Sequence, residues 1–559
     1  MAEWILKPRK YDDLIDQLLY NRGILAGESK KERDLFFDPN FDRDLFDPFL
    51  LKGMKTAAAR IKEAKENGEK IGIYSDYDAD GIPAAALFYK TLKAIGIVSE
   101  IYIPNRESGY GLSNDGIDYL VSRGCKLIVT ADLGIRNIAE AKYCEERKID
   151  LIITDHHIPG DKVPRALALI NPKIKGNKYP FTELCGAGVV YKLAQALGKN
   201  YPKEINQEFL KSNLDLVAIA TIADVVPLIG ENRVLAHYGI IMLKITRNTG
   251  LRELLKVAGI TKDKVNAYSV GFQIAPRINA PGRVDHATKS YDLLITDDKE
   301  KAAELAMWLN EKNEERQRAM AEVEKAAELK IEKEGLDKNN IIIVAGKWIK
   351  GVIGPSASHL VDKYCKPVIL FSKDSEGKVY VGSARSVEGV DIVDLFEKSK
   401  KYIKKFGGHK GAAGLTVTNF KDFVKNIIAL ANKTIKPSVL IKKIKVDAVI
   451  QSVEMSLETC NVINSFEPFG MGNPKPVFLL RNVKVLSKRL IGATQKHLSA
   501  QVECEKKNFR LVGFNYLDSN ALDDFNGNTI YDLVISLDIN NWNGKSNVDL
   551  KMLDFKKAE

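Results

Sequence analysis

Ile71-Gly72-Ile73-Tyr74-Ser75-Asp76-Tyr77-Asp78-Ala79-Asp80-Gly81 is an apolar run that turns abruptly acidic, and the reading of the whole chain follows from it. Ile71 to Tyr74 reads as a short buried strand. The Ala-rich segment that opens with Pro83, a favoured first helical residue, reads as a helix running to Ile95. In extended backbone, residues two apart point the same way, so Asp76, Asp78 and Asp80 put three carboxylates on one side of a strand end. Such a like-charge cluster raises at least one carboxylate pKa unless divalent cations neutralise it. A solvated acidic loop and an Asp-rich calcium loop are the competing readings at this point.

Composition sets the frame. A chain of 559 residues has room for roughly three or four domains with real hydrophobic cores. Hydrophobic content of 45% and charged content of 28% are those of a soluble globular protein. A net charge of +11 and a pI near 9.0 favour anionic partners without identifying one. The six cysteines, at 125, 144, 185, 365, 460 and 504, form no CxxC pair, which argues against structural zinc and a disulfide framework and fits a reducing compartment. Met1 to Lys10 has no signal-peptide core, and no apolar run of membrane-spanning length occurs, so a cytoplasmic, unanchored protein is expected.

Two more apolar runs follow the first. Lys126 to Thr130 ends in Ala131-Asp132-Leu133-Gly134, and Leu151 to Thr154 ends in Asp155-His156-His157, with a crossover helix available over Arg136 to Lys148. Three strands that each end in metal-ligand chemistry predict a parallel sheet with a site at its carboxyl edge. A fourth apolar element, Leu214 to Ala223, carries Asp224, which needs a partner there unless it only caps the turn before Pro227. The candidate set is Asp76, Asp78, Asp80, Asp132, Asp155, His156, His157 and Asp224. Carboxylates with imidazole and no thiolate suit Mn²⁺ or Mg²⁺, and so many groups suit two ions. Two such ions serve phosphodiester hydrolysis, one activating a water and the other stabilising the leaving oxygen.

These segments resemble the four motifs of the DHH phosphoesterase superfamily and, within it, the RecJ family of single-strand-specific 5′-to-3′ DNA exonucleases. The similarity extends to Asp47 to Lys52, to Ile103 to Arg106 with Gly109 to Leu112, and to Pro276 to Arg283, and so covers nearly the whole chain. It implies Asp78, Asp80, Asp132, Asp155, His156 and Asp224 as metal ligands, with Asp76 and His157 beside them or coordinating. It also implies release of 5′-mononucleotides, a role in DNA repair and recombination, single-stranded DNA as substrate, and a helicase and a single-strand-binding protein as partners. Leu133 stands where this family commonly has Asn, and Asn105 where it commonly has His, which touches the surroundings of the site and no carboxylate.

Residues 1–60 read as a helical lead-in packed on the first domain, which spans 61–296; a connecting helix spans 297–335. Asp297 to Glu334, rich in Ala, Glu, Lys, Leu and Arg, predicts a long and mostly exposed helix that holds two domains apart across a cleft. The second domain, 336–436, opens with a strand over Ile341 to Val344 and a helix near Ser356 to Tyr364. It contains Gly382-Ser383-Ala384-Arg385-Ser386 and the glycine-rich Phe406 to Gly414, which tight turns alone would also explain. Together these are similar to the DHH-associated domain, whose Ser and Arg hold the substrate strand. The resemblance implies substrate contacts from Ser383, Arg385, Gly407, Gly408 and His409, completed by Arg106 and Arg277 or Arg283, with His409 orienting the scissile phosphate. From 437 to 559 short alternating runs, with the Asn543-Gly544 turn signal, predict a small β-barrel of the oligonucleotide-binding type. Phe466, Phe469, Phe478 and Trp542 are its candidate base-stacking aromatics.

The predicted fold class is therefore multidomain α/β with a C-terminal barrel. Two other functions compete with the exonuclease reading: a DHH phosphodiesterase for short oligonucleotides or cyclic dinucleotides, and a non-catalytic DNA-binding replication scaffold. The barrel weighs against the first and the full ligand set against the second.

Overall fold

The computed structural model describes residues 2–24, 30–105, 111–374, 378–492, 495–514, 525–527, 529–542 and 544–558. Two compact units emerge, one of Met1–Leu45, Pro227–His237 and Lys442–Glu559, the other of Phe46–Val226 and Tyr238–Ile441. Strand β1 (Glu3–Leu6) falls in the first unit, and the acidic residues in the second.

In the larger unit, β2 (Lys70–Ser75), β3 (Ser99–Tyr102), β4 (Cys125–Ala131), β5 (Asp150–Thr154) and β6 (Ala168–Ile170) form an all-parallel sheet in the order β3-β2-β4-β5-β6. The chain leaves β2 for one side and later returns to the other, so the order reverses between β2 and β4. That is where open α/β sheets bind ligands, beyond the carboxyl ends of the strands. Ser75 pairs with Ala131, which brings the acidic turn after β2 level with Asp132 after β4. The helix after β2, Gly81–Ala94, starts before Pro83, whose missing N–H costs nothing in a first turn where those groups lack intrahelical partners. The helix Leu214–Ala223 is buried over most of its length and ends on Asp224.

The long helix runs from Lys299 to Glu334, 36 residues or about 54 Å at 1.5 Å per residue. Asp298 caps its start through the Glu300 and Lys301 amides, and Gly335 ends it in the left-handed conformation. It is less exposed than its composition suggests. Ala302, Ala306 and Leu309 are buried in its first half, and Met320, Val323, Ala327 and Ile331 in its second, at helical spacing. The latter group packs with β7 (Ile342–Gly346), β8 (Val368–Lys373) and the helix Lys350–Tyr364, which begins one and a half turns earlier than expected.

The second sheet, in the order β10-β11-β9-β8-β7, adds β9 (Tyr380–Arg385), β10 (Lys405–His409) and β11 (Ala412–Val417). Here the glycine-rich segment departs from the turn reading. Gly407 and Gly408 are strand residues paired with Gly414 and Ala413, and only Lys410 and Gly411 make the turn.

In the smaller unit, β1 pairs in parallel with β12 (Lys443–Val446), and Leu14, Leu18, Leu19 and Phe36 pack into the barrel core. The lead-in thus opens on a strand, and residues up to Leu45 belong with the C-terminal part of the chain rather than with the first domain. After β13 (Ala448–Val449) come β14 (Phe478–Ile491), β15 (His497–Cys504), β16 (Lys507–Gly513), β17 (Ile530–Trp542) and β18 (Lys545–Lys557). They run in the order β14-β15-β16-β18-β17 and close through β14–β17, a five-stranded barrel. Phe466 and Phe478 are wholly buried in its core and Phe469 packs against it, so these rings serve folding and not base stacking. The side chain of Trp542 is outside the described set.

Candidate metal centre

Each acidic side chain is placed by a backbone feature. Ser75 Oγ donates to the Gly81 carbonyl at 2.7 Å and to that of Asp76 at 2.9 Å, which folds the turn back on itself. Asp78 Oδ1 accepts from the amides of Asp80 (2.9 Å) and Gly81 (3.0 Å), closing the turn that leads into the helix Gly81–Ala94. The Asp80 carboxylate reaches across to the start of the helix Gly186–Asn200, taking the Gly186 amide at 2.6 Å and the Ala187 amide at 2.7 Å. That is a favourable place for an anion. Gly186 must be glycine, since a Cβ there would lie 2.4 Å from Asp132 Oδ1. Asp132 itself has φ of 68°, a left-handed conformation uncommon for a residue with a side chain and frequent at functional sites.

His156 Nε2 lies 3.2 Å from Asp132 Oδ1, 3.6 Å from Asp224 Oδ2 and 3.7 Å from Asp80 Oδ2, yet hydrogen-bonds to none of them. Three sets of groups converge within 4.8 Å: Asp132 with His156 and His157, Asp80 with His156 and Asp224, and Asp76 with Asp78 and Asp132. Seven of the eight predicted residues are thereby brought together. Asp155 is the exception. Its Oδ1 accepts from the His156 amide (2.7 Å), the His157 amide (3.0 Å) and His157 Nδ1 (2.7 Å), and its Oδ2 from the Ile135 amide (2.8 Å). Its acceptors take four hydrogen bonds in shaping the loop and orienting His157, against two amide bonds each for Asp78 and Asp80.

Burial, and after it the neighbouring carboxylates, raise Asp80 to about 7, Asp224 to about 8 and Asp132 well above the usual range. Burial, with the charge of His157, lowers His156 to about 3 and keeps its ring neutral. For His157 burial is the largest single effect and acts downward, but the bond and charge of Asp155, with the charges of Asp224 and Asp80, together outweigh it and raise the ring to about 9. Two buried carboxylates and a half-buried third that resist ionisation around a neutral imidazole describe a site built for cations.

The profile described as "DHH family, N-terminal domain" matches residues 70–221, "DHHA1 domain" 338–437 and "RecJ OB domain" 446–554. The single-stranded-DNA-specific exonuclease RecJ of Bacillus subtilis is 37% identical over 98% of this chain and 68% of its own length. RecJ of Escherichia coli is 32% identical over 97% of this chain and 96% of its own. The chain belongs to the RecJ family. The crystal structure of Thermus thermophilus RecJ with Mn²⁺ superposes with a TM-score of 0.83 at 27% identity, covering 100% of this chain and 80% of that one. The same protein has also been solved with Mg²⁺. The donor set here, all carboxylate oxygen and imidazole nitrogen, fits those two ions.

The remaining candidates are distributed unevenly. His409 and Gly408, at the end of β10, line a cavity of about 260 Å³ together with His157 and Asp155. Burial and the charges of Arg136, His157 and Lys173 lower the His409 pKa. Ser383 and Arg385 share one face of β9, Arg385 Nη1 donating to Ser383 Oγ at 3.1 Å. Arg277 donates to Asn310 Oδ1 (3.0 Å) and the Gln273 carbonyl (2.7 Å), and Arg283 to the Gly351 carbonyl (3.1 Å). Arg106 lies outside the described residues. Sequence reasoning missed Asn279, whose Oδ1 accepts from the Ala79 amide at 2.8 Å and pins the acidic turn to Pro276 to Arg283. It missed Asn171, which holds the His157 carbonyl at 2.9 Å, and the cations Arg136 and Lys173. A Gly-Ile-Arg-Asn run right after a metal-site strand and an Asn-Pro-Lys run were the available signals.

Proposed function

We infer that this chain is a metal-dependent hydrolase that removes 5′-mononucleotides from single-stranded DNA in the 5′-to-3′ direction, in the service of DNA repair and recombination. The observation that supports it most directly is the convergence of seven carboxylate and imidazole groups at the sheet's switch point in a RecJ-family chain. Asp76, Asp78, Asp80, Asp132, His156, His157 and Asp224 would hold two divalent ions. Bound there, Mn²⁺ or Mg²⁺ supplies an activated water and charge neutralisation at the leaving oxygen. Asp155 fixes the His157 ring through Nδ1, which leaves Nε2 to face the centre once the ring is neutral, and the neutral His156 offers a lone pair among three carboxylates. Ser383, Arg385 and His409 supply donors for phosphate oxygens, and the C-terminal barrel is of the type that binds single strands. A helicase that delivers the strand and a protein that coats it are the partner classes this reading carries.

The test is product release from single strands labelled at the 5′ or the 3′ end, DNA and RNA in parallel, with Mn²⁺, Mg²⁺ or chelator. Labelled mononucleotide appearing first from 5′-labelled DNA, and only with metal, is the expected result. Activity restricted to very short oligomers would favour the small-substrate phosphodiesterase. Binding without hydrolysis under every metal condition would favour the scaffold.

A further inference from the structure

Among the described residues, two cations next to the metal centre have no carboxylate of their own. Arg136 follows the Gly134-Ile135 corner after β4 and lines the cavity shared by Asn137, Asp155, His157, Gly408 and His409. Its Nε donates to the Ile158 carbonyl at 2.9 Å, which fixes the base of the guanidinium. Its two terminal nitrogens make no hydrogen bond or ion pair among the described residues, and the residue is exposed. Lys173 sits on the loop after β6. Its amide donates to Asn171 Oδ1 at 2.8 Å, and Asn171 Nδ2 in turn holds the His157 carbonyl at 2.9 Å, so this loop is tied to the metal-site histidine. The Lys173 ammonium likewise has no ion pair among the described residues, although its charge is felt at Asp224, His156 and His409.

Arg60, by contrast, is paired off with Glu69 and Asp150. Arg277 and Arg283, the first-domain arginines that motif resemblance singles out and the structure describes, have donors directed at Asn310, Gln273 and Gly351. A guanidinium fixed at its base, and an ammonium on a loop tied to the metal-site histidine, neither ion-paired among the described residues, are the arrangement that an incoming anion completes. A guanidinium with both terminal nitrogens available is the better shaped of the two for a phosphate.

We propose that Arg136 and Lys173 bind phosphate oxygens of the DNA strand end on the His409 side of the metal centre, and so position the scissile linkage. The proposal rests on the exonuclease reading and adds to it two substrate-contacting residues from the first domain. Asn171 and Ile158 are then positioning groups, one for the Lys173 loop and the other for the Arg136 guanidinium.

The experiment uses the full chain and a 5′-phosphorylated oligothymidylate. Affinity is measured by fluorescence anisotropy with Ca²⁺ at several salt concentrations, and kcat and KM with Mn²⁺. Arg136→Ala and Lys173→Ala are each expected to weaken binding by ~10-fold or more, as loss of a charge-assisted contact does. Each should also flatten the slope of log affinity against log salt by about 0.7, the value for one phosphate contact on a single strand. Lys173→Arg and Arg136→Lys should recover part of the loss, and Lys142→Ala, an exposed cation paired with Glu146, should change nothing. Melting temperatures report folding. Variants that bind with wild-type affinity and salt slope overturn the proposal, as does a fall in kcat with KM and slope untouched. A wild-type chain that neither binds nor cleaves the oligonucleotide overturns the exonuclease reading itself, an outcome the variants alone cannot produce.

Discussion

Replacing Asp155 by Asn separates a residue that ligates from one that holds the ligands. Asp155 accepts four hydrogen bonds, from the amides of Ile135, His156 and His157 and from His157 Nδ1. An asparagine keeps a single acceptor oxygen. If that oxygen stays on the histidine side, the new NH₂ faces the Ile135 amide, and a buried donor is left unsatisfied at ~1–3 kcal/mol. The bond to His157 also changes from charge-assisted to neutral, roughly halving it. The loss of stability is then ~2–4 kcal/mol by these figures. His157, deprived of the partner that chiefly raises it, should titrate far closer to an ordinary histidine than the present value of about 9. Metal affinity should fall about 10- to 100-fold, as it does when an orienting partner is lost, while the number of ions bound is kept. Asp132→Asn, by contrast, should remove an ion outright. Calorimetric Mn²⁺ titration, thermal melts and the histidine proton resonances of both variants decide the matter. An Asp155→Asn protein that melts like wild type and binds one ion fewer would refute the reasoning and return Asp155 to the ligands.

Without metal, stability should fall as pH rises from about 6.5 to 8.5. Asp80 (about 7) and Asp224 (about 8) hold protons in the fold that the unfolded chain has already lost, and His157 (about 9) does the same above the ordinary histidine range. The folded state therefore binds the extra protons, and deprotonation costs on the order of a few kcal/mol across this window; thermal melts with chelator should show the slope, and Mn²⁺ should flatten it. Arg233 is buried without a carboxylate, stacked 3.9 Å from the Phe36 ring centroid and donating to the carbonyls of Phe36, Phe466 and Glu467. Burial and the nearby Arg22 lower it to about 9. Arg233→Ala should cost ~3–5 kcal/mol by stranding those carbonyls, and Arg233→Lys should not restore it, because an ammonium lacks the fork that spans them; urea unfolding measures both. Phe478→Ala should likewise cost ~3–5 kcal/mol, with oligonucleotide affinity per folded molecule unchanged; a selective loss of affinity would make the ring a stacking platform after all.

Much of the larger unit was legible because its signals are local. Apolar runs that end in Asp mark β2, β4 and β5, and helical spacing with Asp298 and Gly335 at its ends marks the long helix. The same locality explains what was missed. Nothing in Glu3–Leu6 announces a parallel pairing with Lys443–Val446, since a register between segments so distant leaves no pattern in either. Gly407 and Gly408 look like turn residues because glycine serves turns and close strand approach equally well, and only the pairing with β11 separates the two. Phe466 and Phe478 carry no mark that distinguishes a core ring from a stacking one.

The centre was legible as a set of residues but not as a division of labour. Asp132 and Asp155 both follow a strand, and as letters they are equivalent. What separates them is which amides point inward. After β5 the chain turns so that its own N–H groups and the Ile135 amide converge on Asp155, whereas Asp132, in its left-handed corner, faces His156 Nε2 and the start of the helix at Gly186. Asp155 takes four hydrogen bonds from the protein's own donors and Asp80 two, so the number of donors turned toward a carboxylate, and not its place after a strand, divides the labour. Arg136 and Lys173 are set apart in the same way, by how their neighbours among the described residues are arranged and not by any mark in the sequence.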